Sequence, residues 1–250
     1  MTSGNESGGR RRLDVELVQR GLAPTRARAR EAIEAGKVHV DGVAATKPGQ
    51  LVGDGSLIEA EAAHPWVSRG GLKLDHALTV FGVDPAGRHC LDIGSSTGGF
   101  TDVLLARGAR RIVAIDVGVG QLHPRLREDK RVVSHESTDA RNLDAALVIE
   151  PPTLIVCDAS FIGLAKLLTR PLELAAPDAM LVALFKPQFE VGPANVGKGG
   201  IVSRPAAVAA AADELERWLA KVGWVVRQWT DSPITGADGN RERLFVARNY

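Results

Sequence analysis

The sequence predicts an α/β protein with a mainly parallel sheet of seven strands, preceded by a small α+β unit. Three observations carry this. From residue 66 onward, apolar strand-like runs alternate with helical stretches, the pattern of a parallel sheet. Before that, about fifty residues show helix-period apolar spacing followed by short alternating strands. Between them lies Glu59-Ala60-Glu61-Ala62-Ala63-His64-Pro65, where Pro65 breaks any continuing helix. The expected division is a disordered Ser/Gly-rich leader over 1–9, a first domain over 10–60, a linker over 61–67 and a second domain over 68–250.

In the first domain, Leu13, Leu17 and Val18 and then Ala27, Ala32 and Ile33 recur at helical spacing. Gly21–Thr25 breaks the two helices, with Thr25 placed to cap the second and Gly36 to end it. Lys37–Val43 alternates as a strand closed by the Asp41-Gly42 turn. Lys47–Val52 and Ser56–Ala60 predict two more short strands. Charge concentrates here, although the chain's formal net charge is only +1. Residues 10–30 hold seven arginines (Arg10, Arg11, Arg12, Arg20, Arg26, Arg28, Arg30) against Asp14 and Glu16. By charge alone this run is equally a solvated helix face or a surface that tracks phosphates. The landmarks Arg12-Leu13-Asp14, Gly21-Leu22-Ala23, Thr25-Arg26, Ala29-Arg30 and Gly36–Gly42 tip the balance. They resemble the αL RNA-binding module named after a small-subunit ribosomal protein. That resemblance implies that the arginine cluster and Lys37 dock on structured RNA. Trp66-Val67, a bulky apolar pair at the junction, is expected to pack between domains.

In the second domain, strands are expected at His89–Ile93, Arg111–Asp116, Val132–Glu136, Thr153–Asp158, Met180–Phe185, Trp224–Thr230 and Leu244–Arg248. Helices are expected over 73–80, 99–107, 121–129, 162–174 and 205–221, the last between Pro205 and Gly223. Ligands of such a sheet sit beyond the carboxyl ends of the strands. Leu91–Asp102 there reads as a strand, a glycine turn and a helix start. It is neither a P-loop nor a GxGxxG dinucleotide turn, because no Gly-Lys-Ser/Thr follows and the glycines stand at 94, 98 and 99. Acids end successive strands at Asp92, Asp116 and Asp158. A carboxylate-lined pocket suits a cationic, hydroxyl-rich cofactor without phosphate, which describes S-adenosylmethionine. The expected cofactor contacts are Asp92, Gly94, Ser95, Ser96, Thr97, Gly98, Gly99, Phe100, Asp116, Asp139, Asp158 and Phe161.

Four further groups can meet at the same sheet edge: Lys73 in Ser68–Leu74, Asp158 in Cys157–Phe161, Lys186 in Phe185–Glu190, and Glu242 in Gly239–Arg243. They resemble the K-D-K-E tetrad of FtsJ-like ribose 2′-O-methyltransferases. Nearly the whole chain resembles the TlyA family of rRNA cytidine 2′-O-methyltransferases, through Trp66–Leu74, Asp92–Phe100, Asp158–Phe161, Lys186–Gly192 and Gly239–Glu242 in order. Thr138–Leu143 resembles that family's third-strand cofactor region and brings in Asp139. The resemblance implies a Rossmann-like S-adenosylmethionine-dependent fold, Lys186 as principal catalytic group, and Lys73, Asp158 and Glu242 orienting it. It also implies rRNA within ribosomal subunits as partner, cytidines of large- and small-subunit rRNA as substrate, and a link to capreomycin sensitivity. No metal, no membrane, a cytoplasmic location and a monomer are expected.

The six histidines show no metal-ligand spacing, and no apolar run approaches eighteen residues. A carbon-5 cytosine methyltransferase would need a cysteine nucleophile, and Cys157, the one cysteine near the site, stands in a core-like Val-Cys-Asp context. A vestigial cofactor fold in a plain RNA binder conflicts with the intact tetrad. A membrane-lytic role, suggested by the haemolysin label of some family members, finds only a weakly apolar alanine run near 205–221. The loop Gly192–Ser203, with Lys198, reads as a substrate clamp or a plain surface loop. Phe161 or Phe189 could stack a flipped base.

Overall fold

The computed structural model describes residues 9–250, so the leader expected over 1–9 lies almost wholly outside the described residues. The chain forms two compact units, Met1–Pro65 and Trp66–Tyr250.

The first unit contains β1 (Arg11–Arg12), α1 (Leu13–Gln19), α2 (Arg26–Glu34), β2 (Val38–Val40), β3 (Val43–Ala44), β4 (Leu51–Val52) and β5 (Ile58–Ala60). The Thr25 hydroxyl accepts the Arg28 amide at 3.3 Å, as its place before α2 predicts. β2 pairs with β3 and β5, and a separate ribbon pairs β1 with β4. Asp41 (φ 51°) and Gly42 (φ 79°) both adopt positive φ in the two-residue β2–β3 turn. Leu13, Leu17, Ala29, Ile33, Val38 and Val40 form the unit's core. The β1–β4 ribbon is too short for a periodicity signal.

The second unit contains α3 (Gly70–Phe81), β6 (His89–Ile93), α4 (Gly99–Ala106), β7 (Arg111–Ile115), α5 (Pro124–Arg127), β8 (Val132–His135), α6 (Ala145–Val148), β9 (Leu154–Cys157), α7 (Leu164–Glu173), β10 (Met180–Phe185), α8 (Pro187–Glu190), α9 (Pro205–Lys221), β11 (Trp224–Asp231) and β12 (Arg243–Asn249). Its seven strands lie in the order β11-β12-β10-β9-β6-β7-β8. β8, β7, β6, β9 and β10 are mutually parallel, and β12 runs antiparallel to both its neighbours.

Alternation along the strands sends side chains to two helix layers. Leu91, Ile93, Ile155, Cys157 and Phe185 join α7 and α9 in one core. Cys90, Ile112, Val156 and Leu184 join α3, α4 and α5 in the other. Strand order reverses at β6, whose neighbours are β7 and β9. The ligand cleft of an open α/β sheet belongs at that reversal, beyond the carboxyl ends.

Two expectations need correcting. The helix expected over 121–129 is only the short α5. Pro124 has no N–H to continue a helix begun earlier, and the Gly120 and Gln121 amides turn instead to Glu136 at 2.7 and 3.1 Å. Trp66 packs within the second unit, where its ring lies so close to Gly71 that no Cβ would fit there.

Candidate active site

The glycine loop begins where β6 ends. Gly94 (φ 76°) is tied by its amide to the Ile115 carbonyl at 2.9 Å. A Cβ on Gly94 would stand 2.9 Å from Ala159 Cα, so glycine lets the loop after β6 meet the loop after β9. Gly98 (φ 95°) packs under Leu122 and Leu126, which fill the space a side chain would need. Asp116, at the end of β7, braces this loop from the side. One carboxylate oxygen accepts the Ser96 amide and the other the Gly118 amide, both at 2.7 Å. Each oxygen keeps a lone pair for a ligand hydroxyl.

These loops enclose a cavity of about 830 Å³, lined by Gly94, Ser96, Asp116, Asp139, Asp158, Phe161, Leu167 and others. Asp139 caps the turn at Ala140–Asn142 and pairs with Arg141 at 2.6 Å, which holds its carboxyl below the usual range. Phe161 is 90 % exposed, holds φ at 69°, and its ring centroid lies 5.4 Å from that of Phe189. A second hollow of about 200 Å³ is lined by Ser68, Gly70, Ser95, Thr97, Gly99, Phe100, Asp158, Ser160 and Lys186.

Two expected cofactor contacts, Gly98 under its leucines and Asp92, line neither cavity. The Asp92 side chain is buried under α4, with the Thr101 hydroxyl donating to it at 2.6 Å. Its other oxygen is buried without a partner. Burial foremost, with the charges of Asp158 and Asp116, pushes its carboxyl up to about 7.

Register explains how the tetrad gathers. In the β10–β12 ladder Phe185 faces Arg243, so Lys186 leaves β10 beside the point where Glu242 enters β12. In the β9–β10 ladder Cys157 faces Ala183, which puts Asp158 at the same edge. The four residues form two pairs. Lys186 Nζ lies 2.7 Å from Asp158 Oδ1, and it donates to Ser160 Oγ at 2.8 Å and to the Asp158 carbonyl at 3.3 Å. Lys73 Nζ lies 2.5 Å from Glu242 Oε2, with both side chains buried. The start of α3 links the pairs. A Cβ at Gly70 would stand 3.3 Å from Asp158 Oδ2, and Lys73 lies one turn further on. Only the Lys186–Asp158 pair lines the cavities. The Cys157 thiol is fully buried and pushed up to about 12 by that burial, so it offers no thiolate.

Four polar side chains brace these groups from outside the motifs' named positions. Ser160, two residues past Asp158, contacts Lys186. Glu136 gathers the amides of Gly120 and Gln121, and Glu190 accepts the Leu164 amide at 2.9 Å. Asn240 accepts the Val202 amide and donates to the Gly200 carbonyl, both at 2.9 Å. Each is a polar residue in a loop or, for Glu190, at the end of a one-turn helix, and its partner lies far along the chain, so local pattern carries no signal. Asp139 and Asp144 cap the short helical turns that follow them.

In the first unit much of the expected RNA face is internally paired. Arg12 and Arg26 both bind the buried Asp14 at 3.0 Å. Arg20 binds Glu16 at 2.8 Å and the carbonyls of Gly53, Asp54 and Ser56, while Arg11 reaches Glu16 and Asp54. Arg28 pairs with Glu31 at 2.9 Å and with His64. Lys37 pairs with Glu61. Among the described residues, Arg10, Arg30 and Lys198 carry no ion pair. Arg11, Arg12 and Arg26 remain half exposed or more despite their partners.

A seven-stranded sheet with its one reversed strand beside the edge, a glycine turn after the first strand and acids at the strand ends together define a Rossmann-like methyltransferase fold. Residues 66–250 match the FtsJ-like methyltransferase family, and residues 11–58 match the S4 domain. The chain belongs to the FtsJ-like methyltransferases and, among them, to the TlyA family. It is 47 % identical to the 16S/23S rRNA (cytidine-2′-O)-methyltransferase TlyA of Mycobacterium tuberculosis, over 96 % of this chain and 90 % of that one. Hemolysin A of Brachyspira hyodysenteriae is 38 % identical, over 93 % of this chain and 98 % of that one. A solved Streptococcus thermophilus chain provisionally named a hemolysin superposes with a TM-score of 0.76 at 35 % identity, covering 97 % of this chain and 90 % of that one. Among the described residues no helix is long and apolar enough to cross a membrane.

Proposed function

We propose that this chain is an S-adenosylmethionine-dependent rRNA (cytidine-2′-O)-methyltransferase acting on large- and small-subunit rRNA in the cytoplasm. The observation that carries the reading is the Lys186–Asp158 pair at the mouth of the glycine-loop cavity. The relatives' rRNA activity and the S4 match support the choice of substrate.

The residues present fit the cofactor. The cavity carries carboxylates and close backbone but no phosphate-binding turn, and Asp116 keeps free lone pairs where a ribose diol would lie. Asp116 and Asp139 would hold the nucleoside part, and the 94–99 loop would face the amino-acid part. When bound, S-adenosylmethionine supplies an electrophilic methyl group on a sulfonium.

The chain's own task is to prepare the ribose oxygen. A 2′-hydroxyl is a weak nucleophile and must shed its proton as it reacts. The Nζ of Lys186 reaches the cavity wall, where as an ammonium it can stabilise the developing alkoxide and as a neutral amine it can accept the hydroxyl proton. Asp158 orients Lys186 and sets the charge beside it. Lys73 and Glu242 neutralise each other in a buried pair behind it, which holds the start of α3 against the sheet edge.

The test is to map tritiated methyl groups on unmodified ribosomes and on each isolated subunit. Label on a cytidine 2′-oxygen is expected, and label on a base carbon or no label overturns the reading. Lys186→Ala is expected to keep S-adenosylhomocysteine affinity while lowering transfer by on the order of 10²-fold or more.

A further inference from the structure

A lysine ammonium has three N–H donors. Lys186 Nζ uses two of them, on Ser160 Oγ at 2.8 Å and on the Asp158 carbonyl at 3.3 Å, and has Asp158 Oδ1 beside it at 2.7 Å as its ion-pair partner. The two contacts with Asp158 come from one residue, so they fix Nζ near Asp158 but leave it free to swing about that side chain. The contact with Ser160, from the next turn of the same loop, removes this freedom. Ser160 is also exposed and lines both cavities, as Asp158 does. Its neighbour Phe161 sits at φ 69°, a conformation that non-glycine residues rarely hold. The loop is therefore bent sharply just where it offers its hydroxyl to the lysine.

We infer that Ser160 is a positioning residue for the methyl transfer: its hydroxyl accepts one of the two hydrogen bonds of Lys186 and so aims the remaining N–H of Nζ at the place of the ribose 2′-oxygen. The inference rests on the ribose-methyltransferase reading above. It adds that a side chain outside the tetrad sets the direction of the catalytic ammonium. Ser160 requires only a hydroxyl at this point. Threonine keeps one, and the exposed position has room for its extra methyl group.

The test compares wild type, Ser160→Ala and Ser160→Thr as full-length proteins. The measurements are single-turnover and steady-state methylation of unmodified 23S and 16S rRNA, and S-adenosylhomocysteine affinity by calorimetry. Ser160→Ala is expected to lower kcat about tenfold, the kinetic equivalent of one charge-assisted hydrogen bond. KM for RNA and cofactor affinity should stay within about twofold, a split that a general loss of structure would not produce. Ser160→Thr should recover kcat to within about threefold of wild type. Wild-type kcat in Ser160→Ala overturns the inference. So does equal impairment of both variants, or a loss in Ser160→Ala that lies in cofactor affinity. If wild-type protein itself places no methyl on a ribose oxygen, the underlying reading fails instead, so the two failures are distinguishable.

Discussion

Asp92 is a carboxyl group with one hydrogen bond, one orphaned oxygen and no exposure. Its pKa in the folded chain is about 7, against 3.8 in the unfolded chain. Between those values the folded state holds the proton more often than the unfolded state does. The stability this group allows is therefore full below about pH 4 and is lost as pH rises through 7. Asp92→Asn keeps an acceptor for Thr101 and removes the ionisation. It should raise Tm relative to wild type at pH 8, by an amount equivalent to a few kcal/mol at most, and much less at pH 5. Equal shifts at both pH values in a thermal scan would show that burial of the charge is not the cause. Asp92 also marks a limit of sequence reasoning. Its place at a strand end suggested a cofactor ligand, but the sheet's pleat turns it toward α4 instead. Lys186 was easier, because an apolar strand followed by Lys-Pro fixes the point where the chain leaves the sheet.

Secondary-structure elements meet through polar contacts that cap or brace them. α7 starts at Gly163, which offers no capping side chain, and the Leu164 amide is taken by Glu190 from α8. Burial pushes Glu190 up to about 7. Glu190→Ala leaves that amide without its acceptor and should cost about 1–2 kcal/mol in denaturant unfolding. Glu190→Gln, which keeps an acceptor, should cost less. In the first unit Thr25→Ala removes the cap of α2 and should cost about 1 kcal/mol, read as a shift in urea midpoint. Equal stability of Thr25→Ala and wild type would mean that water serves the Arg28 amide as well as the hydroxyl does. The strands from His89 to Phe185 were legible because each is a short apolar run bounded by turn residues. The shortness of α5 was not, because it depends on Glu136, whose grip on the 120–121 amides no local pattern reveals.

At the scale of the whole molecule, each unit has its own core, and the arginine-rich helices belong entirely to the first. Removing residues 1–65 should leave the second unit folded and able to bind S-adenosylhomocysteine. It should also weaken rRNA binding sharply and flatten its salt dependence. RNA affinity unchanged by the truncation would move the RNA footprint to the second unit. The number of phosphates the first unit neutralises should fall short of its arginine count, since Arg12, Arg20 and Arg26 already answer Asp14 and Glu16. A formal charge of +1 thus hides a local excess of arginine, part of which holds its own domain together.

The reversed strand β12 sets the order of events in the life of the chain. Lys73 and Glu242 touch across 169 residues of sequence, and Glu242 reaches Lys73 only when β12 has threaded back along β10. During synthesis the RNA-binding unit emerges first and can fold alone. The catalytic edge stays open until β12 has left the ribosome and paired with β10. A nascent chain could therefore grip RNA well before it could modify any. Competence to methylate arrives in one late step, when β12 closes the sheet between β10 and β11.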